Sequence, residues 1–559
     1  MPFFRAREAY RDLKRYSQIA SVLAHHGFTE VLDRLKARYH VPERRKPLIK
    51  ERVTERPPTS VRLRLVFEEL GPTFIKLGQI LSSRPDILPP DYIKELSKLQ
   101  DDVPPFPFEE VRALVETQFG RPLAELFSFF EEKPVAAASL AQVHRARTPA
   151  GEEVAVKVQR KGIEEVIETD IRILREFAGL TERHVPESRY FGPSELVEEF
   201  ARTIRHELDF VREGRNIDRF RAHFASTATV YIPKVHWDLT SSRVLTIEFI
   251  TGIKISDVDR LTAAGLDRKT IAVNGANLTL EEIFELRRFH ADPHPGNVFV
   301  LDNNVIAPVD FGMTGTIDEE TSEQMTGIFV AVMQKDVDTL VGLLRTIGIV
   351  GEPYDERAFK LELHDLFDRY YGVPLNRLDI GTITRELMTI VHRHRLRLPS
   401  EFAMIGKALL ISEGVGRLLY PDFNIIETAR PYARRILLRR FDPARQLRGL
   451  SRVADEVVAL LRTLPPDTRE ILSMIRKGKL AMRFEHRGLE LLTDEVDRSS
   501  NRISFALVIA ALIIGSSLIF QTGVGPTIFG YPIVGLGGFL LASILGIWLL
   551  IGIMRSKRL

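Results

Sequence analysis

The chain has 559 residues, room for roughly three or four structural units, and its 44% hydrophobic and 27% charged residues exclude disorder throughout. Gly 36 and Pro 31 are too few for a collagen-like or low-complexity chain, and the absence of cysteine excludes disulfide frameworks, thiolate metal sites and a Cys nucleophile. Lys+Arg 78 against Asp+Glu 75 leaves a net charge of only +3, but the charge is distributed unevenly along the chain.

Residues 1–60 carry fourteen Lys/Arg against seven acidic residues. Leu13, Ile19, Leu23, Val31, Leu32 and Leu35 recur at roughly helical spacing, which predicts amphipathic helices. They would lie on an anionic membrane surface or present a solvated basic face. The acidic residues and the lack of an early apolar run argue against a transit or signal peptide, and no nucleic-acid-reading motif accompanies the charge, so nucleic acid is not an expected partner.

Further along, Pro134 to His144 reads as a small-residue turn followed by a strand, and Glu153 to Val158 alternates as a strand that carries Lys157 on one face. This hairpin has the layout that covers phosphates in kinases, without their Gly-rich motif. Strand Val244 to Ile247 precedes Glu248 to Ile250. The loop His290-Ala-Asp-Pro-His-Pro-Gly-Asn297 is followed by strands Val298 to Leu301 and Val305 to Val309, then Asp310-Phe311-Gly312. The order Lys, Asp-x4-Asn, Asp-Phe-Gly is the kinase order of parts. A triphosphate is met by a lysine on one side and by Mg²⁺ held on carboxylate and amide oxygens on the other, which casts Lys157 as phosphate ligand and Asn297 with Asp310 as the Mg²⁺ donors. Asp292 stands where the kinase loop places its base. His290 and His294 have a metal-ligand spacing, but Pro293 and Pro295 forbid a shared helix face, so these histidines are expected to brace the loop.

After Gly312 helical periodicity predominates, as at Ile328, Val332, Leu340 and Leu344. Residues 441–500 are charged and amphipathic, broken at Pro465-Pro466. From Ile503 to Met554 there is no charged residue or histidine. Ile503–Phe520 and Ile533–Met554, about 27 and 33 Å long as helices, bracket a ~30 Å hydrocarbon core, and Gln521–Pro532 supplies a turn. With Arg502 before and Arg555, Lys557 and Arg558 after the spans, the positive-inside rule places both termini and the bulk of the chain in the cytoplasm. Gly538, Ala542 and Gly546 form a stripe on which a second helix, including one from another copy, would pack closely. A buried hairpin of a soluble core is the alternative, which the lack of any polar face disfavours.

The loop His290–Asn297, the run Ala136-Ala137-Ala138-Ser139 and the sequence Phe74-Ile-Lys-Leu-Gly-Gln79 together resemble the UbiB family, also called ABC1 or ADCK atypical kinases, over about residues 60–440 and the two C-terminal spans. The resemblance implies an α+β, protein-kinase-like bilobal fold and a role in ubiquinone biosynthesis. Its units would be a basic segment 1–60, a helical extension 61–130, a β-rich N-lobe 131–252, a helical C-lobe 253–440, linker helices 441–500 and a transmembrane hairpin 501–559. It implies that Lys76 and Gln79 belong to a Lys-x-Gly-Gln element, that Lys76 pairs with Glu207 of a Glu-x-Asp element ending at Asp209, and that Glu213, on the same predicted helix, pairs with Lys157. Pro134, Val135, Ala136, Ala137, Ala138, Ser139, Leu140, Ala141 and Gln142 would replace the Gly-rich nucleotide loop. The backbone from Glu248 to Ile250 would hold adenine. Gly214, Arg287 and Arg288 depart from the family pattern, where Ala, Gly and an aromatic residue are more usual.

Three functions are then expected, each with ATP and Mg²⁺ as cofactors. The first is an ATPase or small-molecule kinase acting at the bacterial inner membrane on isoprenoid quinone intermediates or their handling proteins. The second is a protein kinase regulating quinone-pathway hydroxylases, and the third is a non-catalytic ATP-binding scaffold. Expected partners are membrane lipid, quinone intermediates, other quinone-biosynthesis proteins and a second copy joined through the hairpin.

Overall fold

The computed structural model describes residues 2–28, 57–440 and 489–555, apart from 85–86, 100–102, 186–187, 189–191, 335, 348–354, several positions within 370–398, and 524–525 and 529–530. Most of the expected linker 441–500, and the second half of the basic segment, lie outside the described residues. The chain divides into two units, Met1–Gln446 and Leu447–Leu559.

The first unit opens with helices α1 (Pro2–His25), α2 (Thr59–Leu70), α3 (Pro72–Leu81), α4 (Pro90–Leu96), α5 (Phe108–Phe119) and α6 (Leu123–Leu126). Gly71, at φ 92°, breaks the chain between α2 and α3, and Pro72 starts α3 where no intrahelical N–H partner is needed. Part of the apolar side of α1 turns into the protein. Ile19 and Val22 are buried in a cluster with Phe67, Phe74 and Ile171, and the Arg15 guanidinium donates to Asp170 at 2.7 and 2.9 Å. For Ile19 and Val22 the expectation of a lipid- or water-facing apolar side is corrected, because they meet a matching stripe inside the protein, while Leu13 and Lys14 remain exposed.

Next come β1 (Phe129–Phe130), β2 (Ala136–Ala137), β3 (Ala141–Arg147), β4 (Glu153–Gln159), α7 (Ile163–His184), α8 (Pro193–Glu207), α9 (Phe210–Phe224) and β5 (Val244–Glu248). The strands form an antiparallel sheet in the order β1-β3-β4-β5, with β2 paired to β3. Lys157 sits opposite Val143 and Leu245. Alternation decides what each face does: Val154, Val156 and Val158 are fully buried against Val111, Val115 and Leu126, so Lys157 points the other way. Between Lys157 and Glu213 the chain inserts α7 and α8, which pack with the N-terminal helices. Glu207 and Glu213 are not on one helix as expected. Glu207 ends α8, and Asp209 caps α9 by accepting from the Val211 and Arg212 backbone N–H groups. A short acceptor at this point satisfies the orphan donors of a new helix and starts it at a new angle.

The helical lobe begins with β6 (Ile253–Lys254), α10 (Val258–Ala263) and α11 (Arg268–Glu281), which runs into a π-helical turn over Glu282–Leu286. It continues through β7 (Arg288–His290), β8 (Val298–Leu301), β9 (Val305–Pro308) and β10 (Thr314–Thr316), with β6-β8-β9 and β10-β7 as small antiparallel sheets. Helices α12 (Glu319–Gln334), α13 (Val337–Thr346), α14 (Glu356–Arg369), α15 (Ser400–Leu419) and α16 (Ile425–Arg440) complete it. Two lobes of this composition bear out the expected kinase-like architecture.

The second unit holds α17 (Leu489–Thr522), a short β11–β12 pair (Thr527–Ile528 with Tyr531–Pro532) and α18 (Ile533–Arg555). Ser500–Thr522 and Ile533–Leu550 are long and apolar enough to cross a membrane. The first span is continuous with the charged residues before it, so the expected boundary at 500 falls inside a helix. Ser516 and Ala542 are buried, and a Cβ on Gly538 would lie 2.1 Å from Ser516 Oγ. Gly538 and Ala542 of the small-residue stripe thus serve the contact between α17 and α18, whereas a Cβ on Gly546 would meet nothing within 4 Å.

Gly315 of β10 faces Phe289 of β7, and a Cβ there would lie 2.4 Å from Phe289 Cζ, with the ring fully buried. Gly315→Ala is expected to cost about 1–3 kcal/mol by overpacking, read as a lowered melting temperature of the detergent-solubilised protein. An unchanged melt would show that the ring can yield.

Candidate functional site

The cleft between the lobes is organised by charge. Lys157 Nζ donates to both oxygens of Glu213, at 2.9 and 3.0 Å, and lies 3.7 Å from Asp310 Oδ1. Glu213 is in the first turn of α9, and Phe210 at the start of the same helix presents its ring to the ammonium at 5.2 Å. Burial disfavours the ammonium, but Glu213 and Asp310 outweigh it and hold Lys157 above the usual lysine range. Burial pushes the Glu213 carboxyl up, against the pull of Lys157. Burial would also raise Asp310; Lys157, His290 and the Gly312 N–H together hold it well below the usual carboxylate range.

Asn297 Nδ2 donates to Asp310 Oδ2 at 3.0 Å, so the amide oxygen of Asn297 and the carboxylate of Asp310 are presented together. Among the described residues no three His, Cys, Asp or Glu side chains gather into a metal cluster. A cation here would take Asp310, Asn297 and otherwise phosphate and water oxygens, a hard and incomplete set that suits Mg²⁺. The charge balance fits as well, since the carboxylates of Glu207, Glu213 and Asp310 outnumber the ammonium groups of Lys76 and Lys157. Lys76 is buried and pairs with Glu207 at 2.6 Å, as the resemblance implied. This pair adjoins the first through Gly312, where a Cβ would lie 3.3 Å from Asp310, 3.7 Å from Glu213 and 3.8 Å from Glu207.

The histidines brace the loop, as expected. His290 Nε2 donates to the Asp310 carbonyl at 2.6 Å while Nδ1 accepts from the Asp292 N–H, and His294 Nδ1 accepts from the Gly296 N–H. Asp292 faces Lys407 Nζ at 3.0 Å.

The alanine-rich loop is largely engaged with the protein itself. The Val135 and Ala138 N–H groups already donate to Val143 and Ala141 carbonyls. Leu140 packs with Phe74, Ile75 and Leu77, and Ser139 is fully buried with its hydroxyl unpartnered among the described residues. Gln142 bonds both backbone groups of Phe106 and touches His144, so it is a strut between α5 and the sheet rather than a ligand. Pro134 is half-buried, Val135 and Ala136 are exposed, Ala137 and Ala138 are half-buried, and Ala141 joins the main core. Gln79 likewise braces α3, donating to Leu99 O at 3.2 Å with its own oxygen unpartnered.

At the hinge, the Glu248 N–H donates to Lys234 O and the Phe249 N–H to Glu153 O, while the Glu248 carboxylate accepts from Tyr231. Of the expected adenine contacts, Ile250 retains a backbone N–H without a partner among the described residues.

One of the sequence departures has a structural reason, and another sits in a strained backbone. A Cβ on Gly214 would lie 2.9 Å from Trp237 Cη2, so glycine admits the indole that donates to Asp218. Arg287, at φ 54°, takes a left-handed conformation at the end of the π-helical turn, where glycine is the unstrained choice. Sequence reasoning missed Lys407, which comes from a distant helix, and Glu282, which is buried in that turn and accepts from the His290 N–H at 3.0 Å. A π-helical turn has no simple periodic signature, and nothing in the linear sequence flags either residue.

A family model described as the ABC1 atypical kinase-like domain matches residues 98–344, one for the UbiB helical domain matches 363–424, and one for the ABC1/UbiB kinase-like C-terminal domain matches 487–555. A Clostridium pasteurianum protein described as an uncharacterized protein in the hydrogenase 1 5' region is 33% identical over 98% of this chain and 99% of its own. A Marinobacter nauticus protein named probable protein kinase UbiB is 35% identical over 81% of this chain and 85% of its own. Among solved structures, the complex of Rv3197 with erythromycin from Mycobacterium tuberculosis aligns with a TM-score of 0.45 at 25% identity, covering 65% of this chain and 93% of that one.

Burial pushes the Glu282 carboxyl up to about 8. Because the folded value lies above the unfolded one, the unfolded chain loses its proton first as pH rises, and stability falls between about 4.5 and 8. Glu282→Gln keeps an acceptor for His290 and removes that dependence. The variant is expected to melt above the wild type by a margin that grows across this window; a margin that does not change with pH would mean that Glu282 is not held neutral.

Proposed function

This chain is a member of the ABC1/UbiB family of atypical kinase-like proteins, and from that premise we propose that it binds Mg·ATP in the inter-lobe cleft and turns it over at the membrane in support of ubiquinone biosynthesis. The observation that carries this reading is the convergence of Lys157, Glu213, Asn297 and Asp310, a fixed ammonium facing a pair of hard oxygen donors. ATP, when bound, supplies the phosphoryl group. Glu213 holds the Lys157 side chain extended into the cleft, where the ammonium meets phosphate oxygens. Asp310 is kept ionised and Asn297 is oriented by its bond to that carboxylate, so both are prepared for Mg²⁺. Asp292, at the start of the loop that ends at Asn297, orients the acceptor oxygen and takes its proton.

The acceptor is proposed to be an isoprenoid quinone precursor, or a protein that handles one, reached from the cytoplasmic face of the bacterial inner membrane. Two apolar C-terminal helices support that placement, since a polyprenyl tail resides in lipid. The basic residues that flank them in sequence favour cytoplasmic ends.

Substituting Asp310→Asn in the membrane-reconstituted protein is expected to lower Mg²⁺-dependent ATP turnover by roughly a hundredfold or more while the melt stays cooperative. Turnover equal to the wild type, with or without a prenylated phenol added, would overturn the catalytic reading.

A further inference from the structure

The cation against Asp292 does not belong to the kinase-like region. Asp292 lies within the segment matched at 98–344, whereas Lys407 lies within the one matched at 363–424. Lys407 is on α15, and its ammonium is 3.0 Å from Asp292 Oδ1. Neighbouring residues fix where that side chain starts: Ile405 and Ala408 are buried in one cluster with Phe289 and Ala291, which flank the start of the Asp292 loop. The direction of Lys407 is therefore set by a packed core. Its side chain is 23% exposed and that of Asp292 28%, so the pair is open to the cleft but largely shielded from bulk water.

An ordinary salt bridge at this exposure would do little for stability. Its position gives it another use. Lys157 is engaged by both oxygens of Glu213, and Asn297 and Asp310 address a metal. A terminal phosphoryl group lying toward Asp292 would meet a carboxylate there, and Lys407 is the cation the structure sets beside it. We propose that Lys407, supplied by the helical domain, is a ligand of the terminal phosphate, parked on Asp292 until a nucleoside triphosphate arrives. An ammonium on a flexible stem can pivot between two oxygen acceptors without moving its helix. A diphosphate lacks the group that Lys407 would reach, so this residue lets the site distinguish ATP from ADP. The inference rests on the nucleotide-binding function proposed above.

The test is the affinity of the full chain, reconstituted in nanodiscs, for Mg·ATP and Mg·ADP by calorimetry, in the wild type, Lys407→Met and Lys407→Arg. Lys407→Met is expected to weaken ATP by roughly ten- to a hundredfold and to leave ADP unchanged, the usual worth of a charged hydrogen bond, while Lys407→Arg retains most of the preference. If Lys407→Met weakens both nucleotides equally, or neither, the inference is wrong and the nucleotide site stands. If the wild type binds neither nucleotide, the proposed function fails first and the inference falls with it. Should Lys407→Met not fold, as judged by its melt, the Arg variant and Lys407→Gln carry the same comparison: an unchanged ATP/ADP ratio in the Gln variant overturns the inference.

Discussion

A lysine about three-quarters shielded from water needs a counter-charge, and the need to satisfy Lys157 ties this protein together. Its ammonium is met by Glu213 from α9 and by Asp310 from the segment after β9, so a strand, a helix and a loop from both lobes are drawn to one point. Removing Lys157 leaves the Glu213 carboxylate, 2% exposed, buried and uncompensated, a loss of about 3–5 kcal/mol where such pairs have been broken. Asp310 then orients Asn297 through its outer oxygen, and through its carbonyl it holds His290, which in turn accepts from the Asp292 N–H. The positions of the site residues follow in sequence from that first charge.

The helices outside an ordinary two-lobed plan extend the same cluster. α7 and α8 are inserted between the lysine strand and the glutamate helix, and they pack against the N-terminal layer in a core that includes Phe74, Ile167, Ile171 and Phe200. Because α3 is held there, Lys76 reaches Glu207 at the end of α8, one residue pair away from the cleft. The loop that would elsewhere wrap phosphates docks Leu140 into this same core. Alanine and serine, in place of glycine, suit a loop that is packed and hydrogen-bonded more than one that must stay free to close on a ligand.

Much of this was legible in the sequence for a physical reason: residues that act through one short loop or one strand lie close together in the chain. Asp292, Asn297 and Asp310 are spaced by a turn and a hairpin, and alternation put Lys157 on the polar side of its strand. The Lys76 to Glu207 contact was legible only through family resemblance, because nothing local links residues so far apart. Where the reading went wrong, two local patterns competed. Glu207 to Glu213 has unbroken helical periodicity, but Asp209 satisfies the backbone of a new helix better than it continues the old one. In α1 the apolar positions were read as facing lipid or water, yet Ile19 and Val22 pack inside the protein and Arg15 turns to a buried Asp170 on another helix. Gln142 was placed with the nucleotide by its position in a motif, while its amide has both a donor and an acceptor to satisfy and found them in Phe106.

The opening sums can be read in the same light. The lack of cysteine excluded thiol chemistry, and the charge-free tail fixed two spans long enough to cross a membrane, since both follow from composition and length alone. The sequence by itself determined which short segments carry charged chemistry and in what order. Only the tertiary structure decided which charges meet. That choice depends on burial, which raises the cost of an unpaired charge until a partner is found at any distance along the chain, as Lys157 is for the buried Glu213.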